Sequence, residues 1–257
     1  MNWHCHNIFH RMPPGATAGG IAVVIDVLRA STTIITALAH GAVAVLPRRS
    51  IDEARAAAQA IPGGILGGER QCVRIEGFDV GNSPLEYTVD RVAGRTVIMT
   101  TTNGTAAIAA CGEATEILVG AMVNRTAVAN VARRLAVTHR CRAIHLVCAG
   151  TDGDVTEEDR LTAGAILDAA AHDDDASFDA LDAAAVAARD CYRAIANTDG
   201  QLTTHGLVEA FRASAGGENL LALGMEADIK AAAAIDSLSV VPRLDPVGNR
   251  LTLLAND

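Results

Sequence analysis

The chain has 257 residues, a formal net charge of −9 at pH 7, and a composition that is 50% hydrophobic but only 3% aromatic. This length allows one large α/β domain or two small ones, with a core of alanine, valine, isoleucine and leucine. An acidic chain with few aromatic residues lacks the basic surface and the stacking platforms of a nucleic-acid binder.

Cysteine usage and hydropathy exclude further classes. The six cysteines include no C-x-x-C pair and no signal peptide is recognisable, which predicts reduced thiols in a cytoplasmic protein. No uncharged stretch is both long and apolar enough to span a membrane, because residues 96–112 are broken by threonines and Asn-Gly. We therefore expect no membrane partner.

The first 20 residues predict a short edge strand followed by a loop. They contain His4, His6 and His10, which could bind a metal ion. A terminal strand that frays at its end accounts for the same three residues without any ligand.

The clearest pattern begins at residue 21. Five apolar residues predict a buried strand, Asp26 stands where it ends, Arg29 follows, and Ser31 opens a helical pattern. A helix start offers unpaired N–H groups to an anion and would stabilise an ionised Asp26. The stretch therefore predicts a phosphate site, although a helix cap at Ser31 and a buried acceptor at Asp26 explain it equally well.

Strands and helices alternate along the rest of the chain. Further strands are predicted at residues 42–46, 65–66, 96–99, 117–119, 143–147, 237–241 and 250–254. Ser50 with Glu53 forms a capping box that starts a helix. Residues 161–234 are mostly helical, with a solvated loop at residues 173–175. This order predicts one layered α/β/α domain over residues 1–257 with a largely parallel or mixed sheet, or two subdomains that divide near residues 115–125.

Several predicted strands end in polar turns, and such turns bind ligands in α/β folds. Together the turns and the long irregular segment 71–87 contain the acids Asp26, Glu69, Asp79, Asp152, Glu158 and Asp159 and the cations Arg29 and Arg70. Carboxylates suit Mg²⁺, and arginines suit phosphate. Asp159 also fits a capping box with Thr156, which alone would explain it. The predicted chemistry is metal-assisted phosphoryl transfer or hydrolysis.

Ordered motifs from about residue 22 to residue 242 resemble the 2-phosphosulfolactate phosphatase family. They are V-I-D-V-L-R-A-S-T-T at residues 24–33, G-E-R at 68–70, G-F-D-V-G-N-S-P at 77–84, T-T-N-G-T at 101–105, C-A-G-T at 148–151, E-D at 158–159, D-I at 228–229 and V-P at 241–242. The resemblance implies Mg²⁺-dependent hydrolysis of (2R)-phosphosulfolactate to sulfolactate and phosphate, a step towards coenzyme M. The implied substrate is a small anionic phosphomonoester, and a homo-oligomer is compatible with the sequence.

The turns and the resemblance together assign the site. The candidate catalytic residues are Asp26, Arg29, Glu69 and Arg70. The candidate phosphate-binding residues are Ser31, Thr32, Thr33, Asn82, Ser83, Thr102, Asn103, Gly104 and Thr105. The candidate Mg²⁺ ligands are Asp26, Glu69, Asp79, Glu158 and Asp159.

Two positions depart from the family pattern. Cys72 stands where the pattern favours glycine, and Ala106 stands where an arginine usually follows Asn-Gly-Thr. These departures leave room for another small phosphorylated acid as substrate. Two other functions fit the same charge layout: a non-catalytic anion-binding or regulatory module, and a sugar-phosphate or nucleotide transferase.

Overall fold

The computed structural model describes residues 1–171, 180–195, 203–245, 247 and 249–254. The strands are β1 Asn2–His6, β2 Ile21–Ile25, β3 Ala44–Pro47, β4 Ile65–Arg70, β5 Val73–Arg74, β6 Thr96–Thr100, β7 Glu116–Gly120, β8 Ala143–Cys148, β9 Pro242–Asp245 and β10 Arg250–Leu253. The helices are α1 Ala30–Ala39, α2 Ile51–Gln59, α3 Val89–Val92, α4 Gly104–Ala110, α5 Arg125–Thr138, α6 Glu157–Ala170, α7 Ala183–Ala194, α8 Thr204–Arg212, α9 Ala215–Ala222 and α10 Glu226–Ala232. Within these ranges no helix is long and apolar enough to cross a bilayer.

All ten strands form one mixed sheet in the order β1-β8-β2-β7-β9-β10-β3-β6-β4-β5. The strands β1, β8, β2 and β7 are mutually parallel, and so are β3, β6 and β4. The hairpin β9–β10 lies between these two groups and runs antiparallel to both of its neighbours. The predicted mixed α/β sheet is therefore confirmed.

Both faces of the sheet are covered, as β2 illustrates. Its residues are all buried, and alternate residues point to opposite faces. Ala22 and Val24 pack into one core with α1, α4 and α8, whereas Ile21, Val23 and Ile25 pack into a second core with α5, α6 and α7. A strand that is apolar on both faces requires helices on both faces, which confirms the predicted α/β/α layering.

The first closing strand lies later in the chain than predicted. Residues 237–241 are irregular, because the Leu238 N–H donates to the Val123 carbonyl (2.9 Å) and the preceding Asp236 carboxylate accepts from the Thr126 N–H (2.8 Å). These bonds dock the segment on the connection between β7 and α5. The strand begins only at Pro242, once the chain has reached the sheet.

Other details also differ from the prediction. Glu69 and Arg70 are the last residues of β4 rather than members of the turn after it, and residues 73–74 add the short strand β5 to the segment expected to be irregular. The Ser50 cap is confirmed, since its hydroxyl accepts from the Glu53 N–H (3.1 Å). The loop predicted at residues 173–175 lies outside the described residues.

Candidate active site

A cleft of about 730 Å³ opens where β2, β4 and β6 end. On one side it is lined by residues of these strand ends and the turns after them, namely Asp26, Leu28, Arg29, Glu69, Arg70, Gln71, Cys72, Thr102 and Asn103. On the other side the cleft is lined by Asn82, by Thr151 and Asp152, by Gly216, Asn219 and Ala222 of α9, and by Leu223 directly after that helix. Residues at the carboxyl ends of strands from both parallel groups thus line one cavity, although the two groups run in opposite directions in the sheet.

Asp26 is held rigidly between β2 and α1. Its Oδ1 accepts from the Ala30 N–H (3.1 Å), and its own N–H donates to the Ser31 hydroxyl (2.9 Å). A Cβ built on Gly104 would lie 2.6 Å from Asp26 Oδ2, so the start of α4 approaches this carboxylate in a way that only glycine allows.

The helix start stabilises ionised Asp26 as expected, through the Ala30 N–H, but the surroundings of the carboxylate act in the opposite direction. Burial, with the charges of Glu69 and Glu158 nearby, raises the pKa of Asp26 to about 7, although the Ala30 N–H and Arg29 lower it. The helix start does stabilise the charged form, but it stabilises it less than desolvation and neighbouring carboxylates destabilise it.

Glu158 and Asp159 are the second and third residues of α6, and both are buried beside Asp26. The capping-box explanation of Asp159 is wrong, because its Oδ1 accepts from the Val27 N–H (2.9 Å) and its Oδ2 from the Gly150 N–H (3.0 Å). Thr156 makes no side-chain cap. Asp159 therefore joins the turns that follow β2 and β8, and burial together with its carboxylate neighbours raises its pKa well above the usual value.

Glu158 differs from Asp159 because one of its oxygens is unsatisfied. Oε2 is buried and accepts no hydrogen bond from the described residues. The other oxygen, Oε1, lies directly against Gly216 at the start of α9, where no Cβ would fit. Burial raises the pKa of Glu158. A buried carboxylate oxygen with no protein partner is an open position for a ligand or an ion.

Glu69 organises the turns that follow β4 and β6. Its Oε2 accepts from the Cys72 N–H (2.8 Å), and its Oε1 accepts from both the N–H (2.9 Å) and the hydroxyl (3.0 Å) of Thr102. Arg70 donates to the Glu69 carbonyl (2.6 Å) and the Thr100 hydroxyl (3.0 Å), both neutral acceptors. Glu69 is thus committed to backbone positioning, while Arg70 brings a positive charge to the cleft.

Arg29 is paired with Asp228 of α10, a residue that sequence analysis placed only in a motif. The Arg29 Nη1 donates to Asp228 Oδ2 (2.6 Å), and its Nη2 donates to the Cys72 carbonyl (2.8 Å). The Ser83 hydroxyl donates to Asp228 Oδ1 (2.6 Å). The hydrogen-bonded ionic partner of Arg29 is therefore Asp228, which does not line the cleft.

The hydroxyl groups at the start of α1 are already used inside the protein. The hydroxyls of Ser31, Thr32 and Thr33 donate to the carbonyls of Val24 (3.3 Å), Val27 (2.8 Å) and Asn82 (2.8 Å) respectively. All three side chains are buried and none lines the cleft. They shape the β2–α1 turn, and their assignment to phosphate remains a prediction.

The turn after β6 is divided between two surfaces. Thr102 and Asn103 line the cleft, and Gly104 abuts Asp26. Thr105 instead donates to the Thr101 carbonyl (3.1 Å) and faces a second, separate cavity of about 310 Å³. The structure therefore brings Thr102, Asn103 and Gly104 to the site and turns Thr105 away from it.

Two further predicted residues lie on the segment between β5 and α3. Asn82 lines the cleft, and its buried Oδ1 has no partner among the described residues. Asp79 is exposed, and its Oδ2 accepts from the Leu66 N–H (2.8 Å) near the amino end of β4, whereas Glu69 lies near the carboxyl end. The structure does not bring Asp79 to the cleft.

No three His, Cys, Asp or Glu side chains in the described part of the chain converge as a ready-made metal cluster. The terminal histidines form no such group. His6 Nε2 and His145 Nδ1 are hydrogen-bonded (3.1 Å), and His4 stacks on His145. The strand β1 is paired with β8 along its whole length, so the frayed-strand interpretation is wrong.

Sequence reasoning missed the contribution of the C-terminal helices. Asn219 of α9 and Leu223, which directly follows α9, line the cleft, and the Asp228 carboxylate of α10 accepts a hydrogen bond from Arg29. These residues lie in a long alanine-rich helical region without a motif between strand and helix. The D-I dipeptide at residues 228–229 was the one available signal.

Comparison with known proteins identifies the family. Residues 7–246 match the family model described as 2-phosphosulpholactate phosphatase. A protein of Symbiobacterium thermophilum named "Probable 2-phosphosulfolactate phosphatase" is 41% identical over 232 residues, which cover 90% of this chain and 93% of that protein. Proteins with the same name from Deinococcus radiodurans (40% identity, 88% of each chain) and a Synechococcus species (38%, covering 91% of this chain and 93% of that protein) are also similar. The chain therefore belongs to the 2-phosphosulpholactate phosphatase family.

Proposed function

We propose that the chain is a magnesium-dependent phosphatase that hydrolyses 2-phosphosulfolactate, or a closely related small phosphorylated acid, as a step towards coenzyme M. Family membership supports phosphoric monoester hydrolysis. The observation that carries the proposal is a single cleft lined by Asp26, Arg29 and Arg70, with the open oxygen of Glu158 buried close by. Carboxylates and guanidinium groups in one cavity are what phosphoryl hydrolysis requires.

The donor set fits Mg²⁺, although no three-residue cluster is present. Magnesium is usually held by one or two carboxylates together with water and substrate phosphate. Asp26 and Glu158 would hold it, because Asp159 and Glu69 already accept backbone N–H groups with both oxygens. The raised pKa values of Asp26 and Glu158 support this choice, since crowded carboxylates gain from a cation. Bound there, the ion would neutralise phosphoryl charge and orient the reacting oxygens.

The protein's own residues perform the positioning. Arg29 and Arg70 would bind phosphoryl oxygens, and Thr102 and Asn103 would approach them from the turn after β6. Hydrolysis joins a water oxygen to phosphorus, breaks the ester P–O bond and returns a proton to the leaving oxygen. Asp26 would either accept the proton of that water or attack phosphorus itself, with water releasing phosphate in a second step.

The test measures phosphate release from a panel of small phosphomonoesters that includes 2-phosphosulfolactate, with Mg²⁺ and after exhaustive chelation with EDTA. We expect turnover with Mg²⁺, loss to background with EDTA, and recovery when Mg²⁺ is added back. Undiminished turnover without divalent cations would contradict the metal dependence. Phosphate binding without turnover of any ester would support the non-catalytic module instead.

A further inference from the structure

Asp228 connects three segments that surround the cleft. It belongs to α10, is only 3% exposed, and accepts from Arg29 (2.6 Å) with one oxygen and from Ser83 (2.6 Å) with the other. Arg29 in turn donates to the Cys72 carbonyl. Ser83 follows Asn82, whose carbonyl is held by Thr33. One carboxylate thus ties α10 to the turn after β2 and to the segment after β5.

The contacts of Arg29 leave part of its guanidinium free. Nη1 donates to Asp228 and approaches the Met225 sulfur (3.0 Å), and one Nη2 hydrogen is taken by Cys72. No described residue accepts from Nε or from the remaining Nη2 hydrogen. Arg29 nevertheless lines the cleft. Its two unused N–H groups are of the kind that bind phosphate or carboxylate oxygens.

Arg29 lies beside carboxylates of the cleft with which it could form an ion pair, and its pair with Asp228 prevents this. Asp26 and Glu69 line the same cleft, and a buried guanidinium without a counter-ion pairs with the nearest carboxylate. Such a pair would occupy both the anion-binding group and a carboxylate needed for the reaction. The existing pair satisfies the charge of Arg29 with Asp228, a carboxylate that does not line the cleft.

We propose that Asp228 is a positioning residue that serves as the counter-ion of Arg29, so that Arg29 keeps two N–H groups for substrate and leaves Asp26 and Glu69 unpaired. The proposal rests on the proposed function. It assigns Asp228 no contact with the reacting atoms. It predicts that every effect of Asp228 on catalysis passes through Arg29.

A double-mutant cycle tests this dependence. We expect Arg29→Gln to lower kcat/KM by at least ~100-fold and Asp228→Asn by roughly 30-fold. We expect the double variant to match Arg29→Gln within about threefold, because without Arg29 the counter-ion has no role. The double variant removes both charges of the buried Arg29–Asp228 pair, so neither charge is left buried without a partner and the variant is expected to fold. If the two effects multiplied instead, Asp228 would act independently of Arg29 and the proposal would be overturned.

Chemical rescue supplies a readout that a merely structural role would not move. Millimolar guanidinium should restore part of the turnover of Arg29→Ala, because Asp228 offers it a charged binding position. The same addition should not restore the Arg29→Ala/Asp228→Asn variant. Equal rescue of both variants would contradict the proposal.

The matched control is Glu226→Gln on the same helix. Glu226 also accepts from an arginine at 2.6 Å, Arg212, but it lies outside the cleft. We expect its kcat/KM to equal that of the wild type. The same cycle measured on the Kd of inorganic phosphate separates this proposal from the proposed function. If the protein hydrolyses no ester but the effects of the Arg29 and Asp228 substitutions on the Kd of phosphate are non-additive, the proposed function is wrong and the role of Asp228 stands. If the two effects on this Kd are additive, the role of Asp228 is wrong.

Discussion

Two clusters of titratable groups lie at different places in the sheet: the buried carboxylates around Asp26, and a histidine cluster beside β1 in which His145 is buried and His4 and His6 are half-buried. Around Asp26, burial and neighbouring acids raise the pKa of carboxylates, while burial lowers the pKa of His145 to about 4 beside β1. Each cluster is shifted towards its neutral form. Desolvation alone therefore does not distinguish a functional site from a structural one.

The two clusters differ in whether their polar atoms have partners within the protein. His145 is hydrogen-bonded to His6 and stacked on His4, and His4 in turn contacts the carboxylate of Asp182 (3.3 Å), so the polar atoms of this cluster meet one another. The carboxylate cluster faces a cleft, and Glu158 retains an oxygen without a partner. The unsatisfied acceptor and the cleft are what single out the carboxylate cluster as the candidate site, and four substitutions can test this distinction.

The largest effect is expected for Asp26→Asn, which keeps the shape of the side chain and removes its charge. We expect kcat to fall by at least ~100-fold, about 2.7 kcal/mol of transition-state stabilisation, whichever role Asp26 plays. Steady-state kinetics on the folded variant measures the loss. Near-native kcat would refute the assignment, and a phosphoprotein trapped with the wild type alone would identify Asp26 as the nucleophile.

The same variant should gain stability while it loses activity. The pKa of Asp26 is raised in the folded state from 3.8 to about 7, so its contribution to stability is present below pH 4 and is lost as pH rises through 7. We expect metal-free Asp26→Asn at pH 8 to be more stable than the wild type by roughly 2–4 kcal/mol. Thermal unfolding against pH measures it. Failure to fold would instead indicate a buried acceptor needed for packing.

Gly104→Val should produce the next largest loss. Its Cβ would lie 2.6 Å from both Asp26 Oδ2 and Ala30 Cβ, so α4 must move away from the carboxylate. We expect kcat/KM to fall roughly 10- to 100-fold and inhibition by inorganic phosphate to weaken. Gly112→Val, near the other end of α4, is the matched control, because its Cβ meets only the Ala109 carbonyl at 3.4 Å. Normal turnover and phosphate inhibition in Gly104→Val would give this turn a purely structural role.

His145→Gln should affect stability and leave catalysis unchanged. The lowered pKa values of His145 and His6 mean that the native state binds fewer protons than the unfolded state between about pH 4 and 6.5, so stability is lost as pH falls through this range. The groups that face His145 are His4, His6 and Asp182. Between pH 6.5 and pH 4 the free energy of unfolding of the wild type should fall further than that of the variant, by on the order of 1–3 kcal/mol. A large loss of kcat at pH 7.5 would contradict a structural role.

The smallest effect is expected for Cys72→Gly. Cys72 has a φ of 64°, which favours glycine, and its contacts with Glu69 and Arg29 use only backbone atoms. Burial raises the pKa of its thiol, which disfavours the reactive thiolate. We expect kcat/KM to change by less than about threefold. Cys72→Val, whose branched side chain resists positive φ, should be the more damaging change, and a large loss in Cys72→Gly would instead implicate the thiol.

Much of the fold could be predicted from the sequence, because strands and helix caps are encoded by residues that are neighbours in the chain. The apolar run before Asp26 and the cap at Ser50 depend on neighbouring residues alone, and both are confirmed. The Asp159 carboxylate also carries a local signal, a capping box, but its acceptors are used by Val27 and Gly150 instead. Local patterns predict where a helix begins, whereas the choice of hydrogen-bond partner depends on which turns the fold brings together.

The same limit applies to the candidate site. The hydroxyls of Ser31 and Thr33 have the composition of a phosphate loop, yet they donate to carbonyls of Val24 and Asn82. The pair of Arg29 with Asp228 spans 199 residues, so no window of sequence contains it. Family resemblance pointed to several of the regions that line the cleft, but the three-dimensional contacts decide which of their polar atoms have no partner within the protein.

The hairpin β9–β10 has a consequence for how the protein is made. The strands β9 and β10 lie in the middle of the sheet, between β7 and β3, although they follow all the other described strands in the chain and are therefore synthesised after them. Until they emerge, β7 and β3 present unpaired edges, and the two groups of parallel strands have no shared backbone ladder. Completion of the sheet is therefore a late step in folding that joins strands distant in the sequence, and the unpaired edges of β7 and β3 are open to wrong pairing until then.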